Sequence, residues 1–275
     1  MLLQQETVTL PTPTGPMVTY VYRPVAEGRY PGIVMFSEIF QRTEPIGRTA
    51  AILAGHGFIV AVPEIFHELE APGAVLAYDA AGAARGNHDK VAKSIAAYDA
   101  DARAVLDFLE AHPGGSRALG AFGVCIGGHL SFRAAMDERV RAAVCFYPTD
   151  IHEGTLGLGG DDSLARAGAI RGELMMVFGR QDPHVPTEGR ATIQRRLNEA
   201  GVLHTWHELN AQHAFLRDEG ARYDPALALA GYRMAIDLFQ RRLGRRIRGL
   251  IDHDVLAGME ALRALLKSGV LRLGP

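Results

Sequence analysis

The sharpest constraint on this chain is a cysteine flanked by glycines near its middle. An apolar run that begins at Ala118 ends in residues 123–127, Gly-Val-Cys-Ile-Gly, and opens directly into a helix-like stretch. Glycine two residues before and two residues after Cys125 is the pattern of a nucleophile elbow, because a Cβ at either position would collide with backbone in so sharp a turn. The turn would lift the thiol to the rim of a sheet and point the positive end of the helix at it, which favours the thiolate. The alternative is a small buried cysteine in a glycine-rich turn.

An acid and a histidine follow Cys125 along the chain, each just after a predicted strand. Residues 172–179 form a short apolar run that leads to Asp182, and residues 203–209 have strand character and lead to His213. In α/β-hydrolases the acid and then the histidine follow the nucleophile in this order. Because the carboxyl ends of parallel strands meet at one edge of a sheet, we expect Cys125, Asp182 and His213 to lie together there.

Strand and helix signals alternate along the rest of the chain. Further strands are predicted at residues 18–22, 32–36, 58–63 and 140–147. Helices are predicted at residues 46–56 and 91–111, and in the second the apolar residues recur every three or four positions. Repeated strand–helix–strand units imply right-handed crossovers. The predicted fold class is therefore α/β, with a mostly parallel twisted sheet and helices on both faces.

Two irregular stretches and a C-terminal tail interrupt this alternation. Residues 63–90 and 148–168 both follow strands, so they are either mobile surface loops or caps over the site. Beyond Arg242, apolar residues at helical spacing predict a helical extension of residues 244–275, separate from a domain of residues 1–243. The apolar stripe of this extension packs either on its own domain or against a second subunit, as in a homodimer.

Composition agrees with one enzyme domain and gives no support for binding nucleic acid or membranes. The net charge of the 275 residues is only −2, so no electrostatic case exists for either partner. No window reaches about 18 uninterrupted apolar residues, and the N-terminus lacks the basic and apolar regions of a secretory signal. Cys125 and Cys145 are the two cysteines and do not make a disulfide scaffold. We therefore expect a reducing, cytoplasmic location.

The sequence contains no cofactor motif, since no G-x-G-x-x-G follows a strand and no P-loop lysine is present. No metal site is predicted either. Four histidines are not expected to cluster with carboxylates as metal ligands do, namely His67, His184, His204 and His207. His129, four residues after the elbow cysteine, is expected to be a structural hydrogen-bonding residue.

Four separated motifs carry a family resemblance. They are residues 37–40 (Ser-Glu-Ile-Phe), 123–129 (Gly-Val-Cys-Ile-Gly-Gly-His), 179–182 (Gly-Arg-Gln-Asp) and 213–215 (His-Ala-Phe). With them, residues 15–243 resemble the dienelactone hydrolase family of α/β-hydrolases, the carboxymethylenebutenolidases. The resemblance implies the α/β-hydrolase fold and a triad of Cys125, His213 and Asp182. It also implies that the Glu38 carboxylate touches the resting thiol and accepts its proton when substrate binds.

Glu38 can also be interpreted from its position in the sequence, without the family resemblance. A carboxylate placed directly after a buried apolar strand is costly unless it is paired. In this alternative, Glu38 is a surface side chain that is either solvated or paired with Arg42 or Arg48.

The resemblance also implies residues that contact substrate. Arg217 matches the position of an arginine that binds the substrate carboxylate, a role suited to the bidentate geometry of guanidinium. A second carboxylate-binding arginine should lie in residues 63–90, where Arg85 is the only arginine, although its surroundings match the family poorly. Tyr147 aligns with a tyrosine near the site and is otherwise a plain aromatic residue at the end of a strand.

Together these features predict an enzyme that hydrolyses a small ester or lactone without a cofactor. The backbone amides of Ile126, after the nucleophile, and of Ile39, after strand 32–36, are the expected donors to an oxyanion. The alternative is a non-catalytic or thiol-sensing binding protein that keeps the fold, because a fold and its motifs do not guarantee turnover.

Overall fold

A single eight-stranded sheet forms the centre of residues 1–244, the part of the chain that the computed structural model describes. The strands are β1 (Leu3–Thr12), β2 (Gly15–Pro24), β3 (Tyr30–Phe36), β4 (Ile59–Pro63), β5 (Gly115–Val124), β6 (Val140–Phe146), β7 (Glu173–Gly179) and β8 (His204–Leu209). Their order across the sheet is β1-β2-β4-β3-β5-β6-β7-β8. β2 pairs antiparallel with β1 and β4, and every other pair is parallel. The predicted α/β-hydrolase fold is therefore confirmed.

Within residues 1–244, six α-helices flank the sheet, and Ala167–Ala169 form a short 3-10 helix. The α-helices are α1 (Glu44–Gly55), α2 (Ala80–Ala92), α3 (Ile95–Ala111), α4 (Ile126–Ala134), α5 (Thr187–Glu199) and α6 (Pro225–Leu243). The buried apolar residues form two clusters, because successive residues of a strand point to opposite faces. Val34 belongs to the cluster that contains α3, whereas its neighbour Ile33 belongs to the cluster that contains α1 and α6.

The N-terminal strand β1 was not predicted. In β1 burial alternates only over residues 6–12, where Val8 and Leu10 are the apolar residues at inward positions, so the apolar alternation by which half-buried strands are recognised is short. Its place is fixed by ten residue pairs with β2, which β1 joins through a tight turn at the edge of the sheet.

The predicted irregular stretch of residues 63–90 and the predicted helix of residues 91–111 are both corrected by the structure. Helix α2 begins inside the first, and Lys93 and Ser94 separate it from α3. Both helices begin with an N-cap, because Asp79 accepts a hydrogen bond from the Gly82 amide at 2.8 Å and Ser94 accepts one from the Ala97 amide at 3.1 Å. The caps, rather than any apolar stripe, mark these boundaries in the sequence.

The segment between β6 and β7 is irregular, as predicted, but internal hydrogen bonds hold it. The buried Asp161 carboxylate accepts from the Leu156 and Ser163 amides at 3.1 and 2.8 Å. His129 on α4 lies 2.7 Å from the Ser163 hydroxyl, as expected of a structural hydrogen-bonding residue. The segment is therefore tied to the helix that follows the elbow.

Residues 1–243 form one compact unit. The predicted helical extension of residues 244–275, with the homodimer suggested through it, lies outside the described residues apart from Gly244. Within residues 1–244, no helix is both long and apolar enough to cross a membrane.

Candidate active site

Cys125 sits at the turn between β5 and α4 in a backbone conformation that few residues adopt. Its φ is 59° and its ψ is −126°, so the residue is strained in the way expected of a nucleophile elbow. A Cβ on Gly123 would lie 1.8 Å from the carbonyl oxygen of Gly127, and a Cβ on Gly127 would lie 2.2 Å from that of Phe36. Both glycines are thus required by backbone contacts, as the sequence predicts.

Asp182 and His213 meet beside the elbow. Asp182 follows β7, and its Oδ2 lies 2.7 Å from Nδ1 of His213, which follows β8. Both residues are buried, and Asp182 Oδ1 also accepts a hydrogen bond from the His184 amide at 2.8 Å. This leaves Nε2 of His213 for Cys125, which lines the same cavity as the imidazole and whose sulfur interacts with it electrostatically. The structure therefore brings together the three residues predicted from the sequence.

Electrostatics favour a charged imidazole in this arrangement. Burial alone would lower the pKa of His213, but the neighbouring Cys125 sulfur and the Asp182 carboxylate outweigh burial and raise that pKa to about 10. His184 responds in the opposite direction, because burial and the adjacent His213 charge lower its pKa. Although the two rings are 4.6 Å apart between centroids, only His213 is expected to carry charge at neutral pH.

Glu38 is buried at the end of β3 and only 2% exposed, so the surface alternative for this residue is wrong. Tyr78 donates a hydrogen bond to Glu38 Oε2 at 3.3 Å, and a guanidinium nitrogen of Arg217 lies 3.6 Å from the same oxygen. Burial raises the pKa of Glu38, although Arg217 and His213 oppose this shift. Among the described residues, the recorded partners of the carboxylate are Tyr78 and Arg217 rather than the Cys125 thiol that the resemblance implied.

The arginines considered as partners of Glu38 lie elsewhere. The Arg42 guanidinium donates to the Tyr22 hydroxyl at 2.6 Å. Arg48 binds Asp218 through two hydrogen bonds of 2.6 and 2.8 Å.

A cavity of about 520 Å³ opens at this edge of the sheet, with Cys125, His213 and Glu38 in its wall. Volumes of this order are typical of pockets for small organic ligands. Phe40 and Tyr78 form an aromatic part of the wall. The active-site residues therefore face a space that can hold a small molecule.

Only one of the two predicted substrate arginines reaches this cavity. Arg217 lines it and stacks on Tyr78, with 4.2 Å between the guanidinium carbon and the ring centroid. Arg85 is outside the lining and binds Glu70. Lys90 of the same helix lines the cavity instead, because five residues turn an α-helix by about 140° beyond a full revolution. The helix itself was not predicted, so Lys90 could not be identified as a cavity residue from the sequence.

Tyr147 supports the site from behind and is not part of the cavity wall. It is 1% exposed, and its ring centroid lies 5.0 Å from that of His213. Burial raises the pKa of Tyr147 well above its ordinary value, so the side chain stays an uncharged phenol. The prediction of a substrate-binding Tyr147 is corrected to a packing contact with the imidazole.

The two amides expected to bind an oxyanion are free to donate. Within residues 1–244, neither the Ile126 nor the Ile39 amide has a recorded hydrogen-bond partner. The turn that carries Ile39 is fastened by the buried Gln41, whose side chain donates to the Ala74 carbonyl and accepts from the Phe66 amide. A buried amide that bridges two backbone groups is a rigid support, which the sequence analysis did not identify.

In the described part of the chain, residues 1–244, two groups of possible metal ligands have their ligand atoms within 4.8 Å of one another. They are Asp182, His184 and His213 in one group and His67, Glu68 and Asp101 in the other. The expectation that His67 and His184 would not cluster with carboxylates is therefore wrong. In the first group, His213 Nδ1 already shares a proton with Asp182. In the second, the fully buried Lys93 ammonium binds Asp101 and supplies the positive charge that a metal ion would bring.

Sequence comparison supports one family over most of the chain. Residues 17–243 match the profile of the dienelactone hydrolase family. A putative carboxymethylenebutenolidase from Saccharomyces cerevisiae is 41% identical over 247 residues, which cover 86% of this chain and 90% of the yeast protein. A carboxymethylenebutenolidase from Pseudomonas putida is 26% identical over 215 residues, which cover 76% of this chain and 85% of that protein.

Structural comparison agrees on the fold. The crystal structure of a putative dienelactone hydrolase from Klebsiella pneumoniae superposes with a TM-score of 0.78 at 23% sequence identity. The match covers 88% of this chain and all of that chain.

Proposed function

The chain belongs to the dienelactone hydrolase family, and from that premise we propose that it hydrolyses a small ester or lactone through a thioester on Cys125. The reaction uses protein side chains and water alone. The observation that carries the proposal is the hydrogen-bonded pair of His213 and Asp182 beside Cys125, at a cavity that Cys125 and His213 both line. A thiolate is an effective nucleophile for a carbonyl, and it needs less activation than serine.

In the proposed first half-reaction, the Cys125 thiolate attacks the carbonyl carbon and forms a tetrahedral intermediate. The Ile126 and Ile39 amides stabilise its oxyanion, which is the form of charge that preorganised N–H groups bind best. His213 then gives its proton to the leaving alkoxide, and the thioester forms. In a lactone the alkoxide stays attached to the acyl group.

In the second half-reaction, water cleaves the thioester. The Cys125 sulfur is then uncharged, so the interaction that most supports the charged imidazole is lost and neutral His213 can accept a proton from water. Asp182 holds the tautomer in which Nε2 faces the reaction. Collapse of the second intermediate releases the acid and restores the thiolate.

Glu38 and Arg217 are proposed to assist from the same wall. Glu38 is a buried carboxyl whose raised pKa makes it able to hold a proton. The raised pKa of His213 favours a resting pair of thiolate and charged imidazole; Glu38 would act only on molecules whose proton stays on the Cys125 sulfur, by turning from Tyr78 and Arg217 to take that proton when substrate binds. The role of Arg217 as a ligand for a substrate carboxylate also stays a prediction.

A thiol-sensing protein with no turnover is the other class of function. Incubation with an aryl ester and with a lactone, followed by mass spectrometry of the quenched protein, separates the two classes. We expect product together with an acyl adduct on Cys125. Labelling of Cys125 by iodoacetamide without hydrolysis of any ester would favour the sensor. The free thiols of Cys125 and Cys145 support a reducing compartment such as the cytoplasm.

A further inference from the structure

We propose that the ion pair of Lys90 and Asp150 is a subsite for hydroxyl groups, so that the substrate is an ester or lactone with hydroxyl substituents on the part that lies beside α2, apart from Arg217. The inference rests on the proposed function, because it concerns the molecule that Cys125 would attack. It deepens that function by naming a substrate class.

The pair lies beside the nucleophile. Lys90 on α2 and Asp150 on the segment after β6 line the same cavity as Cys125. The amide of Thr149, the neighbour of Asp150, lies 3.4 Å from the Cys125 carbonyl oxygen. A substrate bound at the elbow therefore brings its substituents close to this pair.

The pair is held in one geometry before substrate arrives. Lys90 Nζ lies 2.9 Å from Asp150 Oδ1, and the Thr149 hydroxyl donates to Asp150 Oδ2 at 2.5 Å. The side chains of Lys90 and Asp150 are 15% and 11% exposed, so they are mostly buried and yet reachable from the cavity. Burial opposes the charge of Asp150, but Lys90 and Thr149 outweigh it and lower the pKa of that carboxyl. Asp150 is thus kept in its charged form beside the Lys90 ammonium.

The pair is a poor site for a carboxylate. The charge of Lys90 is already compensated by Asp150, and the Glu153 carboxylate in the same cavity wall is exposed and screened, as is Arg222. An incoming anion would have to compete with Asp150 for the ammonium and would leave a mostly buried carboxylate unpaired, which is costly.

The two arginines that line the cavity do not change the balance of charge around Lys90 and Asp150. Arg217 faces Glu38 at 3.6 Å. Arg222 also lines the cavity, but its side chain is exposed, and water and salt screen an exposed charge.

A hydroxyl group fits the pair better, because it is both a donor and an acceptor. The hydroxyl oxygen can accept a hydrogen bond from a Lys90 N–H group that Asp150 does not use. The hydroxyl proton can be donated to a free lone pair of the Asp150 carboxylate. Asn87 lies three residues before Lys90 on α2 and also lines the cavity, where its side-chain amide is exposed and can donate or accept a hydrogen bond. Two neighbouring hydroxyls could therefore be bound without any change in the charge of the cavity.

The test compares the rates at which the protein hydrolyses three five-membered lactones. Hydrolysis is measured through the proton that each reaction releases. The three lactones are γ-butyrolactone, its 2,3-dihydroxy derivative and its carboxymethyl derivative, with phenyl acetate as a general ester. We expect kcat/KM for the dihydroxy lactone to exceed that for γ-butyrolactone by about tenfold or more, the usual value of a hydrogen bond to a charged group. Lys90→Met and Asp150→Asn should reduce this ratio to near one. Asparagine tolerates the positive φ of 66° at position 150, so Asp150→Asn should fold normally. It therefore tests the subsite even if Lys90→Met misfolds.

Arg85→Met is the matched control, because Arg85 is an ion-paired cation of the same helix that lies outside the cavity. It should keep the wild-type ratio. Two outcomes overturn the hydroxyl subsite and leave the proposed hydrolysis standing. In one, wild-type kcat/KM is about equal for the dihydroxy lactone and γ-butyrolactone. In the other, the wild type prefers the carboxymethyl lactone and Lys90→Met abolishes that preference. If none of the four compounds is hydrolysed, the proposed function fails and this inference fails with it.

Discussion

Two sides of the active-site cavity differ in how they are held. On the sheet side, Cys125, Asp182 and His213 are 9% exposed or less, and β5 and β7, which lead to the first two, are almost wholly buried. On the other side, α2 buries only three of its 13 residues, two of them glycines. The close packing of the sheet side fixes the reacting atoms, whereas the surface of α2 can change without disturbing the core. We therefore expect substitutions on the sheet side to abolish turnover and those on α2 to change the choice of substrate.

The largest effect should come from the nucleophile. Cys125→Ala should reduce kcat by about 10⁶-fold, as removal of a catalytic nucleophile does in a hydrolase of the serine type. The measurement is steady-state hydrolysis of phenyl acetate, with circular dichroism to show that the fold is kept. Cys145→Ala is the control, because Cys145 is buried on β6 and burial raises its pKa. Retention of activity in Cys125→Ala would contradict the thioester mechanism.

The acid of the sheet side should have the next largest effect. Asp182→Asn keeps the volume of the side chain but favours the wrong tautomer of His213, so kcat should fall by about 10⁴-fold if the site behaves as a serine triad does. The hydrogen bond of 2.7 Å between Asp182 and His213 supports this expectation. A variant as active as the parent would show that another acid orients the imidazole.

The charge of His213 should appear in the pH dependence of stability. Folding raises the pKa of His213 from 6.5 to about 10, so its contribution is fully present below pH 6.5 and is lost as pH rises toward 10. Each pKa unit corresponds to about 1.4 kcal/mol. Urea unfolding should show that the parent loses more free energy of unfolding than His213→Gln over this interval. If the parent and His213→Gln lose equal free energy of unfolding, His213 does not carry the proton in the resting protein.

Substitution of Arg217 is expected to have the smallest effect. Arg217 lies between the sheet side and the α2 side of the cavity and contacts Tyr78 of the α2 side. Because Glu38 already compensates its charge, Arg217→Met should raise KM for an anionic lactone by only about tenfold, the lower limit for a hydrogen bond to a charged group. KM for a neutral aryl ester should hardly change. If both values rise equally, Arg217 supports the structure of the cavity and does not bind a carboxylate.

Much of the sheet side could be predicted because its signals are local. The glycines around Cys125 are required by contacts with backbone only a few residues away or on the adjacent strand. Asp182 and His213 each follow a recognisable strand. The order of these residues along the chain is therefore enough to place them at one edge.

The other side could not be predicted in this way. Helix α2 has no apolar stripe, and Gly86 serves a contact that is remote in sequence, since a Cβ there would lie 2.4 Å from the Ile39 carbonyl oxygen. The ion pair of Lys90 and Asp150 joins residues 60 positions apart. The packing role of Tyr147 behind His213 likewise depends on the path of the chain after β6 and β8.

The sequence by itself determined the fold class and the identity of the nucleophile, acid and base candidates, because periodicity and elbow glycines act over short stretches of chain. Only the tertiary structure decided that Glu38 is paired with Arg217 and Tyr78, that Arg85 lies outside the cavity, and that Lys90 and Asp150 line it. The physical reason is that the energy of a charged side chain depends on burial and on its partners. Those partners are set by where distant segments meet in space.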